Sequence, residues 1–136
     1  MNNLYIEIIT PSKVGYKGNI SSVTVPGTVG NFQVLYNHAP IISSMDIGEI
    51  KIKEQDGKEI HFATSGGTIE VSDNKIIILA ESFERSDQID KSRAESAKER
   101  AEKRLKTKRE QKIDEFRAEL ALKRAINRLK ISNKYL

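Results

Sequence analysis

Short runs in which apolar and polar residues alternate fill the first half of the chain. Leu4, Ile6 and Ile8 occupy alternate positions before Pro11, and a β-branched run over residues 20–25 ends at Pro26. Such alternation is typical of strands with one buried face, and the turn residues recur at intervals of about ten residues. The pattern predicts an antiparallel β-sandwich or flattened barrel of eight or nine strands.

Two of the predicted strands form a hairpin around Asp56-Gly57, a dipeptide that suits a type I′ turn. A second turn falls at Asp73-Asn74. The unbroken apolar run that follows it predicts a strand covered on both faces. The predicted strands lie at residues 4–10, 20–25, 32–36, 41–45, 50–52, 60–62, 68–71 and 75–80.

The pattern changes completely near residue 85. All eight glycines and all three prolines precede residue 68, and residues 86–131 contain neither, which predicts helix throughout. Ser86 or Asp87 is the predicted N-cap, with Asp90 in the first turn. The predicted fold class is therefore α+β: a β-sandwich domain at residues 1–84 followed by a helical arm at residues 85–136.

Alanine-rich apolar stripes mark both halves of the arm. Matching stripes predict a close antiparallel two-helix hairpin. Because an alanine methyl group removes little apolar area from water, such a hairpin is weakly held. Residues 106–111 contain no helix breaker, so a single extended helix is the competing arrangement. The stripes consist of Ala94, Ala97, Ala101 and Leu105, and of Ala118, Leu122, Ala125 and Leu129.

The net charge divides at the same boundary. Residues 1–84 hold 6 Lys and Arg against 10 Asp and Glu, a net charge of −4, whereas residues 85–136 hold 17 against 9, a net charge of +8. A basic arm of this kind points to an anionic partner. The chain has no cysteine, two isolated histidines (His38 and His61) and no apolar run long enough to span a bilayer. We therefore expect a soluble cytosolic protein without a catalytic or metal site.

Arginines of the arm are candidates for an anion site. Arg93 and Arg100 lie two turns apart on one helical face, and Arg124 and Arg128 lie one turn apart. In an antiparallel hairpin these four guanidinium groups could converge on a polyphosphate. Spacing alone favours the alternative, in which they are solvated partners of neighbouring glutamates.

A nucleic-acid-binding module on a β-sandwich is the alternative function. Residues 98–112 are strongly basic, as a phosphate-tracking surface requires. The same stretch interleaves Glu99, Glu102 and Glu110 and contains no aromatic residue for base stacking, which favours a salt-bridged helix surface.

Motifs spread along the whole chain resemble one family. In order they are Gly27-x-x-Gly30, Val34-Leu35-x-Asn37-His38-Ala39-Pro40, Gly48, Ser65-Gly66-Gly67-x-x-Glu70-Val71, Ile89-Asp90-x-x-Arg93-Ala94, Ala97-Lys98-x-Arg100-Ala101-Glu102 and Arg117-Ala118-Glu119-Leu120-Ala121-x-x-Arg124-Ala125. Together they resemble the epsilon subunit of the rotary F-type ATP synthase. Tyr36 and Gln33 depart from the family pattern, which has proline and glycine there, and should alter a strand end more than the fold.

The resemblance implies a ten-stranded sandwich and a two-helix hairpin without catalytic activity. Such a subunit sits on the gamma subunit in the central stalk, touches the c-ring and reaches toward the alpha and beta subunits. It is peripheral, at the cytoplasmic face of the cell membrane, and meets the membrane only through a proton- or sodium-translocating complex. It couples rotation and restrains ATP hydrolysis when the arm extends.

The resemblance also implies two binding sites. No cofactor is required, but regulatory ATP binds the folded hairpin in some family members. The implied ATP-binding residues are Ile89, Asp90, Arg93, Ala94, Arg100, Arg124 and Arg128, with a glutamate from Glu81 or Glu84. The implied c-ring contact consists of Asn37, His38, Ala39 and Pro40.

Overall fold

The computed structural model describes residues 3–106 and 112–135 of the chain. Two compact units divide between Arg85 and Ser86. The first is built of strands and the second of helices, which confirms the predicted α+β class. No helix in the described ranges is both long and apolar enough to cross a membrane.

Residues 3–85 form nine strands, one fewer than the resemblance implied. The second unit holds a 3₁₀ turn (Ser86–Gln88) and helices α1 (Lys91–Lys106) and α2 (Lys112–Lys134). The strands are β1 (Leu4–Ile9), β2 (Val14–Gly27), β3 (Gly30–Val34), β4 (Ile41–Met45), β5 (Gly48–Glu54), β6 (Glu59–Thr64), β7 (Gly67–Ser72), β8 (Lys75–Ala80) and β9 (Phe83–Arg85).

Strand β2 connects the two sides of the sandwich. Its first half pairs with β1, and its second half pairs with β3, β4 and β5. The order β2, β1, β8, β7, β4 returns to β2 and closes a circuit, while β5, β6 and β9 continue from β2 in the other direction. The pairing of β1 with β8 is parallel and is the exception in a sheet whose other pairings are antiparallel, as predicted. A parallel pair needs a long connection, and the intervening strands supply it.

Strand β2 is also much longer than the predicted residues 20–25. Gly15 and Gly18 obscure its first half because glycine is depleted in strands. The register shifts between Ile20 and Ser22, where β2 leaves β1 and continues beside β5. Strand β3 ends at Val34, two residues before the predicted end.

Buried side chains lie in rows across the sandwich. Ile6 pairs with Ile76, and Ile76 pairs with Val71, so one row crosses β1, β8 and β7. The alternation predicted in β1 is confirmed, because Leu4, Ile6 and Ile8 are all buried. The rest of the core comes mainly from Ile20, Val23, Val25, Val34, Ile50, Ile52, Ile60, Phe62, Ile69 and Ile78.

The apolar run of β8 is buried on one face only. Ile76, Ile78 and Ala80 are buried, but Leu79 is 52% exposed and Ile77 is partly exposed. The prediction that this strand is covered on both faces is therefore wrong for this chain. Among residues 3–85, no element covers Leu79 on the second face of the sheet.

One of the two predicted turns differs from its predicted type. At Asp56-Gly57 the amide of Gly57 donates to the carbonyl of Glu54 at 2.9 Å, and Gly57 alone of the pair has a positive φ, 90°. This is a three-residue loop, not a type I′ turn. Asp73 and Asn74 instead have φ values of 50° and 60° and join paired strand ends, which is the type I′ arrangement.

Strand β9 is held by an aromatic cluster. The rings of Tyr16 and Phe62 lie 5.9 Å apart, and those of Phe62 and Phe83 lie 5.2 Å apart, both edge to face. A Cβ at Gly15 would overlap the Phe83 ring. The missing side chain of Gly15 therefore makes the space that the last strand of the unit requires.

Helices α1 and α2 form a hairpin. Five residues separate them and they pack against each other, so they must run in opposite directions. Ala94 and Ala101 of α1 and Ala118 and Ala125 of α2 are buried. We call these two heptad-spaced pairs the alanine seam. They confirm four of the eight residues of the predicted stripes, while Ala97, Leu105, Leu122 and Leu129 are partly exposed. The structure has the hairpin instead of one extended helix.

Candidate functional site

The four residues implied in the c-ring contact lie together in the loop between β3 and β4. The amide of His38 donates to the carbonyl of Leu35 at 3.1 Å, and His38 Nδ1 lies 2.6 Å from the carbonyl oxygen of Ala39. Asn37, Ala39 and Pro40 are exposed, and His38 is partly exposed. The loop therefore presents a short surface whose backbone is shaped by its own turn.

The turn between β7 and β8, which is distant in the sequence, is hydrogen-bonded to this loop. The amide of Asn37 donates to Oδ1 of Asn74 at 2.6 Å, and Nδ2 of Asn74 donates to Oδ1 of Asn37 at 3.1 Å. The amide of Tyr5 also donates to the carbonyl of Asn74, at 3.0 Å. The sequence predicted a turn at Asp73-Asn74 but held no signal for this contact, because it depends on how β4, β7 and β8 pair.

Asp90 caps the first helix of the arm. Its Oδ1 accepts a hydrogen bond from the amide of Arg93 at 3.1 Å, and its carbonyl accepts one from Ala94 at 3.0 Å. The predicted N-cap at Ser86 or Asp87 is therefore wrong. Those residues form a 3₁₀ turn before the helix, and the carboxylate of Asp90 is the group that satisfies a free amide of the first turn.

Residues of the implied nucleotide motif have different surroundings. Ile89 and Ala94 are buried, and Asp90 is engaged as the cap. The side chain of Arg93 is 84% exposed, with Nε 3.6 Å from Oδ2 of Asp90. An exposed ion pair of this length is weak, so the Arg93 guanidinium can turn toward a ligand at little cost.

Further arginines of the implied site lie on both helices. Arg100 is exposed on α1, Arg124 is exposed on α2, and Arg128 is partly buried on α2. Each helix of the hairpin thus carries part of the set, as the spacing predicted. Convergence of these groups on one ligand stays a prediction.

Glu81 and Glu84 belong to the sandwich unit. Glu81 is exposed, and its amide donates to the carbonyl of Gly66 at 3.0 Å. Glu84 is partly exposed in β9, opposite Ala63 of β6. A role for either carboxylate at a nucleotide stays a prediction. Across residues 3–106 and 112–135, no group of three or more metal-ligating side chains could hold a metal ion.

Both units match models of known protein families. Residues 3–86 match the model described as ATP synthase, Delta/Epsilon chain, beta-sandwich domain. Residues 87–133 match the model described as ATP synthase, Delta/Epsilon chain, long alpha-helix domain.

Curated relatives are similar over most of their length. The ATP synthase epsilon chain of Pelotomaculum thermopropionicum is 46% identical over 103 residues, which cover 76% of each chain. The epsilon chain of Desulforamulus reducens is 44% identical over 103 residues, covering 76% of this chain and 77% of the relative.

Solved structures share the fold. A chain of the Euglena gracilis mitochondrial ATP synthase superposes with a TM-score of 0.79 at 18% identity, covering 90% of this chain and 77% of that one. A chain of the Tetrahymena thermophila mitochondrial ATP synthase central stalk and c-ring superposes with a TM-score of 0.68 at 16% identity, covering 94% of this chain and 95% of that one.

The β-sandwich and the two-helix arm each match a domain model of the delta/epsilon chains of ATP synthase. Together they define the class of this protein as a delta/epsilon chain. Relatives above 40% identity narrow the class further. The chain belongs to the ATP synthase delta/epsilon chain family, and the curated relatives compared above are epsilon chains. The predicted resemblance to the epsilon subunit is confirmed. It is a non-catalytic subunit of the complex and not an enzyme by itself.

Proposed function

We propose that the chain is a central-stalk subunit of an ion-translocating ATP synthase and that its helical arm restrains ATP hydrolysis. Family membership and the two-part fold support the stalk role and favour it over nucleic-acid binding. The proposed partners are the gamma subunit, the c-ring and the alpha and beta subunits. The proposed location is peripheral, at the cytoplasmic face of the cell membrane, with the membrane reached only through the complex.

The proposed gamma contact is the outer face of β4, β7 and β8. Ile42 of β4 is 77% exposed and Leu79 of β8 is 52% exposed. Strand pairing places Ile42 and Leu79 on the same face. Ile42 lies opposite Glu70, Glu70 lies opposite Ile77, and Leu79 follows Ile77 by two residues in β8. Exposed apolar side chains gathered on one sheet face are typical of a protein interface.

The proposed c-ring contact is the loop carrying Asn37, His38, Ala39 and Pro40. Its accessible side chains and its turn, closed by the hydrogen bond from His38 to Leu35, suit a surface that must keep its shape against a moving partner. This assignment rests on the family pattern together with that geometry.

The weak packing of the alanine seam is the main support for the proposed inhibitory switch. Each of the seam's four side chains is a single methyl group, with little apolar area to remove from water. The hairpin can therefore open at modest cost, and a ligand or protein that binds one arrangement more tightly shifts the population toward it. The basic charge of the arm favours an acidic surface on the catalytic head as the partner of the open form.

Regulatory ATP is the proposed ligand of the closed hairpin. The residues fit a polyphosphate in one respect: Arg93, Arg100 and Arg124 are accessible guanidinium groups on a small hairpin. Guanidinium forks bind phosphate oxygens bidentately. Ile89 and Ala94 would support the site by packing, and Asp90 by fixing the helix start beside Arg93.

Titration of ATP into the isolated protein, followed by calorimetry, tests the ligand. We expect Arg93→Ala to weaken binding several-fold, while Lys91→Ala, which removes one positive charge from the same helical turn, leaves the affinity within about twofold. Equal affinity for Arg93→Ala and the unchanged protein removes ATP from the proposal.

Removal of residues 86–136 tests the arm. We expect the complete synthase carrying the truncated subunit to hydrolyse ATP faster than the complex with the full chain. Unchanged hydrolysis, with the truncated subunit still present in the purified complex, contradicts the inhibitory role.

A further inference from the structure

We infer that Asn74, on the β7–β8 turn, is a positioning residue that holds the Asn37–Pro40 loop in the shape that meets the c-ring. The inference rests on the proposed contact role of that loop. It deepens the proposal by assigning a function to a turn that lies 37 residues away in the sequence.

The contact between Asn37 and Asn74 is reciprocal. Asn74 accepts a hydrogen bond from the Asn37 amide at 2.6 Å through Oδ1 and returns one at 3.1 Å to the Asn37 side chain through Nδ2. A carboxamide is the side chain that can accept and donate in this way at one site. The paired hydrogen bonds therefore fix both the position and the orientation of Asn37.

Both asparagines have left-handed backbone conformations. Asn37 has a φ of 65° and Asn74 a φ of 60°. Asparagine tolerates this region better than most residues, but glycine tolerates it best. A carboxamide at both positions is thus explained by what the side chains do, since the backbone alone would be satisfied by glycine.

The turn that carries Asn74 is anchored to the sandwich. The carbonyl of Asn74 accepts a hydrogen bond from the amide of Tyr5, the second residue of β1, at 3.0 Å. Its flanking residues Ser72 and Lys75 are paired at the end of the β7–β8 hairpin. Asn74 therefore links the loop to three strands of the sheet, and a force on His38 is passed to the sandwich through Asn37.

Substitutions in the type I′ turn separate the hydrogen bonds from the backbone. Asn74→Gly keeps the positive φ and removes both bonds. Asn74→Asp keeps the acceptor for the Asn37 amide but loses the Nδ2 donor. Asp73→Gly is the matched control, because it removes a neighbouring side chain of the same turn and leaves Asn74 in place.

Amide hydrogen exchange of Asn37 in the full-length protein tests the contact itself. We expect exchange roughly five- to tenfold faster in Asn74→Gly, the change expected for loss of about one net hydrogen bond. Asn74→Asp should retain most of the protection, and Asp73→Gly should match the unchanged chain. An unchanged exchange rate in Asn74→Gly overturns the inference.

The complete synthase in membrane vesicles tests the consequence. We expect Asn74→Gly to lower ion pumping per ATP hydrolysed about twofold, with Asp73→Gly unchanged and Asn74→Asp intermediate. If Asn74→Gly leaves pumping unchanged while His38→Ala lowers it, the positioning role is overturned and the loop contact stands. If His38→Ala also leaves pumping unchanged, the loop contact itself fails, and the positioning role fails with it.

Discussion

Substituting Gly15 by alanine should uncouple the last strand of the sandwich. A Cβ at Gly15 would overlap the Phe83 ring, so the ring must leave its place beside Phe62. Strand β9 has three residues, and Phe83, which is partly buried and packs against the core, is its one apolar side chain. Displacing that ring should weaken the pairing of β9 with β6 at the point where the chain enters the helical arm.

The change in the free energy of unfolding on Gly15→Ala is the sum of an unfavourable and a favourable contribution. Forcing extra volume into a packed site costs about 1–3 kcal/mol, which includes an edge-to-face contact of about 0.5–1.5 kcal/mol. Alanine in a strand is favoured over glycine by about 0.5–1 kcal/mol. From the middle of each range, we expect Gly15→Ala to lower the free energy of unfolding of the sandwich by about 1 kcal/mol.

A double-mutant cycle with Phe83→Ala provides the control. Without the ring the Cβ meets no obstacle, so Gly15→Ala should then be neutral or stabilising by about 0.5 kcal/mol. The expected coupling between the two sites is about 2 kcal/mol, within the range for residues in contact. Urea unfolding followed by tyrosine fluorescence measures it, because three of the four tyrosines lie in the sandwich. An equal cost of Gly15→Ala in both backgrounds would refute the steric reasoning.

Three further predictions concern separate parts of the chain. Burial and, next, the hydrogen bond to Glu54 at 3.0 Å raise the pKa of Tyr16 to about 12, so its contribution to stability should be complete below pH 10 and lost as the pH rises toward 12. Absorbance titration checks this, and Tyr16→Phe should remove that part of the pH dependence. Asp90→Ala should cost the arm about 1 kcal/mol, measured by helix unfolding in circular dichroism, and Asp90→Ser should restore most of it. Ala101→Leu should overpack the alanine seam by about 1–3 kcal/mol and lengthen the interhelical distance between spin labels. An unchanged distance would contradict close packing there.

Much of the fold could be predicted because it depends on residues close together in the chain. The alternation in β1 and the alanine seam are local spacings, and both are confirmed. The start of α1 could not be placed, because several polar residues before it can cap a helix and the carboxylate of Asp90 is the one that reaches a free amide. The family pattern groups the site residues, but no local pattern identifies Asn74 as the partner of Asn37.

Periodicity, turn residues and charge act over a few positions, so they specify a strand-rich acidic unit followed by a basic helical arm without any knowledge of the fold. The parallel pairing of β1 with β8, the space that Gly15 leaves for Phe83 and the hydrogen bonds between Asn74 and Asn37 are visible only in the folded structure. These contacts join segments far apart in the chain. Their choice depends on the register and closure of the whole sheet, which no local pattern of residues specifies.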